Sequence, residues 1–172
     1  MIGDWLQWAD RSVRGAIPVT VTVMLVFAAS LPWRLPAFVE VTPAFAVMAV
    51  FYWTIYRPER FPYAATFGIG VLQDILATTP LGMTALVLLI VQGVVASQRT
   101  FFRGKPFLVV WWGFSLVMPA VGLLSWIISS ACFGTLVPPL PIVVQIVLTM
   151  LLFPIFVLLF RPLGVLAAAR PE

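Results

Sequence analysis

Apolar residues fill long uninterrupted stretches of this chain, and charged residues collect in the short gaps between them. The pattern predicts about six helices, over residues 16–31, 43–56, 62–76, 81–97, 107–128 and 142–160. A helix needs about 20 apolar residues to cross a hydrocarbon core of about 30 Å, and six such stretches use up most of the length. The second and third are short. They either span with little tilt, with help from flanking residues such as 37–42 or from local thinning of the bilayer, or form a re-entrant hairpin. Only one charge interrupts a stretch: Asp74, at the end of Gly68-Ile69-Gly70-Val71-Leu72-Gln73-Asp74, just before Thr79-Pro80-Leu81-Gly82. An ionised side chain in hydrocarbon costs about 2.5–3.5 kcal/mol on insertion scales, so a lone carboxyl there is a packing or functional device.

Composition turns this pattern into a class. The 172 residues are 62% hydrophobic and 9% charged, far from the roughly one-quarter charged residues of soluble domains. The chain reads as an all-α integral membrane protein with no room for a soluble catalytic domain. Basic residues are retained on the cytoplasmic side of short loops. With six spans and the N-terminus inside, Arg11, Arg14, Arg57, Arg60, Arg99, Arg103, Lys105, Arg161 and Arg170 are cytoplasmic, and of the ten basic residues Arg34 alone lies outside. Shifting the span count by one would scatter them. The expected organisation is a cytoplasmic or interfacial segment over 1–14, a six-helix domain over 15–161 and a cytoplasmic tail over 162–172. The net charge of +4 then reflects topology and contact with anionic lipids, not nucleic acid.

Trp5, Trp8, Ala9 and Val13 recur at helical spacing opposite Asp4, Gln7, Asp10, Arg11 and Arg14, which suits a short interfacial helix or a frayed terminus. A cleaved signal peptide fits less well, because Asp4 and Asp10 lie in its n-region and no clear Ala-x-Ala site comes after it. Trp33, Tyr52, Trp53, Tyr56, Trp111 and Trp112 fall near span ends, where aromatic rings sit at headgroup level. The single Cys132 excludes an intrachain disulfide and reads as a small buried residue.

Helices in lipid pack closely through small residues. Ala64 with Gly68, and Thr66 with Gly70, form two such rows on the third span. Ala46 and Ala49 on the second span and Gly93 and Ser97 on the fourth are their expected counterparts, which makes the third span the expected centre of the bundle. Pro119 and Pro154 each remove a backbone hydrogen bond within a span. Pro138, Pro139 and Pro141 are expected to stiffen the outer loop.

The chain contains no histidine, which removes histidine-dependent hydrolase chemistry and the usual zinc and haem sites, so no metal or cofactor is expected. Asp74 has no acidic partner within any span for aspartyl chemistry. Gly68-x-Gly70 lacks a third glycine and is no nucleotide fingerprint. Transport normally requires several polar groups at mid-membrane depth, whereas Asp74, Gln73, Gln92 and Gln145 are placed towards span ends. Two readings of Asp74 stay open. Its carboxylate accepts hydrogen bonds from the amides around Gly82 and Met83 at the start of the fourth helix, or it contacts a partner or ligand directly.

Tyr52-Trp53, the turn Arg57-Pro58, Gly70-x-x-x-Asp74, Pro80-Leu81-Gly82 and Ala85-Leu86 together resemble the rod shape-determining protein MreD family. The resemblance is specific over about 43–96 and generic beyond. It implies a bacterial inner-membrane scaffold, not an enzyme, in the cell-elongation machinery. Its partners would be the bitopic protein MreC and, through it, the actin-like filament and the glycosyltransferase and transpeptidase of lateral wall synthesis. Gly68, Gly70, Gln73, Asp74, Pro80, Leu81 and Gly82 are then the residues of packing or partner recognition. The fold it implies is similar to the membrane subunit of energy-coupling-factor transporters, which supplies a rival reading as a vitamin-type binding subunit. The Ala-x-x-x-Ala docking ridge of those subunits has no counterpart around Ala16, Ala28 and Ala29.

Overall fold

The computed structural model describes residues 17–30, 42–77, 79–134 and 138–166. Among these, all regular structure is helical: α1 (Ile17–Ser30), α2 (Phe45–Tyr56), a 3-10 turn at Pro58–Arg60, α3 (Tyr63–Ala77), α4 (Met83–Phe102), α5 (Phe107–Phe133) and α6 (Pro139–Leu166). Three of them, α4, α5 and α6, are long and apolar enough to cross a membrane, while α1, α2 and α3 are shorter apolar helices. The expected interfacial helix, Trp33, Arg34, Glu40 and the extreme C-terminal residues lie outside the described residues.

Side-chain pairings fix the helix directions. Ala44 meets Thr149 and Tyr52 meets Phe160, so α2 runs alongside α6 in the same sense. Trp111 meets Met150 while Gly122 meets Ile146, so α5 opposes α6. Met83 meets Ser129 and Phe102 meets Gly113, so α4 opposes α5. Asp74 meets Thr84 and Phe61 meets Gln92, so α3 opposes α4. This alternation brings Arg57, Arg60, Arg99, Arg103, Lys105 and Arg161 to one end of the bundle.

At the centre stands α2, not α3. Every α2 residue from Ala46 to Ile55 is buried. Its Phe51 ring lies 5.2 Å from Phe114 and 5.7 Å from Phe153, edge-on to both, and those two stack at 4.0 Å. By contrast α3 leans on α4, hardly meets α2, and leaves Tyr63, Ala64, Phe67, Gly68, Ile75 and Leu76 exposed. Small residues let one neighbour come close. They do not make a helix central, and that is why the expectation of a central third span fails.

Other expectations are revised too. Pro139 and Pro141 belong to the first turn of α6, where a missing amide hydrogen leaves no intrahelical bond unmade. Cys132 is exposed, because α5 continues past Gly122, its last buried residue. Trp111 is half-buried and donates its indole N–H to the Met150 carbonyl at 3.1 Å. The i→i−4 pattern assigns that carbonyl to the amide of residue 154, which is proline and has none. Trp111 thus supplies the donor that Pro154 removes.

Replacing Trp111 by Phe leaves this carbonyl without its donor and should cost about 1–3 kcal/mol. In a Pro154→Ala background, where the backbone regains its amide, the same change should cost clearly less. Thermal melts of the four proteins in one detergent measure both, and equal costs in the two backgrounds would contradict the pairing.

Candidate functional site

The C-terminal turns of α3 and the start of α4 are joined by Thr79-Pro80-Leu81-Gly82. Asp74, on α3, is completely buried at 0% accessibility. Its Oδ2 accepts from the Gly82 amide at 2.8 Å, and its Oδ1 accepts from the Thr84 amide and the Thr79 hydroxyl, each at 3.0 Å. The Thr84 amide lies 3.2 Å from Oδ2 as well. Met83 is served differently, donating its amide to the Pro80 carbonyl at 3.1 Å. The first amides of any α-helix have no intrahelical acceptor, and here a carboxylate from the preceding helix takes that part. Only an ionised acid is acceptor-only on both oxygens, and a negative charge at a helix N-terminus also meets the favourable end of the helix dipole. Gly82 makes the approach possible with φ +93°, a left-handed backbone that other residues rarely adopt.

Asp74 belongs to a buried row, Thr66, Gly70 and Asp74, spaced four residues apart and turned towards α4. A Cβ built on Gly70 would fall into the Ala85 backbone, 2.6 Å from its nitrogen. The close crossing is therefore Gly70 on Ala85. The other small row goes unused, since Ala64 and Gly68 are exposed and nothing lies within 4 Å of a Cβ on Gly68. Gly93 likewise meets nothing within 4 Å, and Ser97 donates to Val94 in its own helix. Pro80 is half-buried in the turn, and Leu81 is 73% exposed. Gln73 faces elsewhere, into a cavity of about 220 Å³ shared with Ser30, Thr42, Ala46 and Gln145. Its Oε1 is buried with no hydrogen-bond partner among the described residues.

Three further polar residues act on the backbone at the ends of short helices. Gln145 donates to the Thr42 carbonyl at 2.9 Å, and the Thr149 hydroxyl accepts from the Ala44 amide at 3.1 Å, both just before α2. Gln92 lies midway along α4, not near its end, and donates to the Phe61 carbonyl in the turn after α2 at 2.9 Å. Sequence reasoning placed no role on Thr84, Gln92 or Thr149. The readable signal was that each is a polar residue in an otherwise apolar helix.

The family model for rod shape-determining protein MreD matches residues 10–163. The chain belongs to the MreD family. Neither curated proteins nor solved structures gave a match. Membership implies a role in rod shape determination, and together with three long apolar helices it points to a membrane protein. The carboxylate cap and the Gly70–Ala85 crossing both lie inside the matched region of this MreD-family chain.

Asp74→Asn keeps one acceptor oxygen but sets an NH₂ against backbone donors, and should cost about 1–3 kcal/mol in a detergent melt. An unchanged melt would show that the charge is not needed for the cap. Gly70→Ala should destabilise and spread α3 from α4, whereas Gly68→Ala should be neutral or stabilising by about 0.5–1 kcal/mol through helix propensity. Equal melting shifts for the two variants would refute the assigned crossing.

Proposed function

We propose that this MreD-family chain is a non-catalytic scaffold of the cell-elongation machinery in the bacterial inner membrane. In this reading all six helices span, with both termini in the cytoplasm. The bundle then holds the single transmembrane helix of an MreC-type partner and so positions the partner's outer domain beside the glycosyltransferase and transpeptidase of wall synthesis. The actin-like filament is engaged through that partner.

The observation that carries this reading is the use of Asp74. In an apolar bundle the one buried carboxylate among the described residues is fully engaged by two amides and a hydroxyl, so it serves shape. Gln92, Gln145 and Thr149 are likewise bonded to backbone at helix ends. Polar groups used for geometry suit a protein that recognises neighbours by form. A second reading, a small-molecule-binding subunit of a transporter, draws its support from the cavity beside Gln73 and Gln145.

Affinity purification from native membranes separates the two. Recovery of a single-span periplasmic protein with wall synthases is the expected outcome. An ATPase pair with a co-purified vitamin would replace the scaffold by the transporter. In cells, Asp74→Asn should weaken complex assembly or rod shape, and normal protein levels with normal shape would remove the carboxylate from the function.

A further inference from the structure

No further inference is drawn: the strongest candidate, the cavity among the ends of α1 and α3 and the starts of α2 and α6, already supports the second reading above, and residues 31–41, which join Ser30 to Thr42 in its wall, lie outside the described residues, so nothing in the structure shows what fills it.

Discussion

Backbone amides and carbonyls that end a helix away from water must find partners in the protein, because hydrocarbon offers none. In this bundle α2 and α3 are short, so their ends bring such groups among the longer helices. Polar side chains from neighbouring helices are directed at them. Asp74 takes the amides that open α4, Gln92 serves the carbonyl of Phe61, and Gln145 and Thr149 serve the chain before α2. Trp111 does the same for the carbonyl orphaned by Pro154. The apolar packing is built around these fixed points.

That packing has two parts of different character. Around α2 large rings interlock, with Phe51, Phe114 and Phe153 filling the middle and Phe102 6.1 Å from Phe51. Between α3 and α4 there are few large side chains, and closeness comes from Gly70 on Ala85 under the Asp74 cap. The first part is volume-filling, ring against ring, with Phe51, Phe114 and Phe153 all fully buried. The second is backbone against backbone and has no slack, which is why a single methyl group matters at Gly70 and not at Gly68.

Asp74 was legible in the sequence because a lone charge in an apolar run has few uses, and the Thr79-Pro80-Leu81-Gly82 turn indicated where donors would be. The helices themselves were legible from hydropathy alone. The centrality of α2 was not. A helix packed in protein and one facing lipid are both apolar on every side, so no stripe tells them apart, and the small residues of α3 pointed to the wrong centre. Gln92 was misplaced because the sequence-read fourth span ended at residue 97, whereas α4 runs to Phe102. Pro139 and Pro141 read as loop residues because proline breaks helices, although at a first turn it breaks nothing.

The length of α2 has one more implication. Twelve residues rise about 18 Å, much less than a hydrocarbon core. A lipid-bathed helix of that size would have to pinch the bilayer around it. With Ala46 to Ile55 sheathed by other helices, α2 meets no acyl chains along its body, and bilayer thickness acts on it only through its neighbours. A lipid mixture that thickens or thins the membrane should therefore be felt first by α4, α5 and α6, while the innermost helix keeps its register.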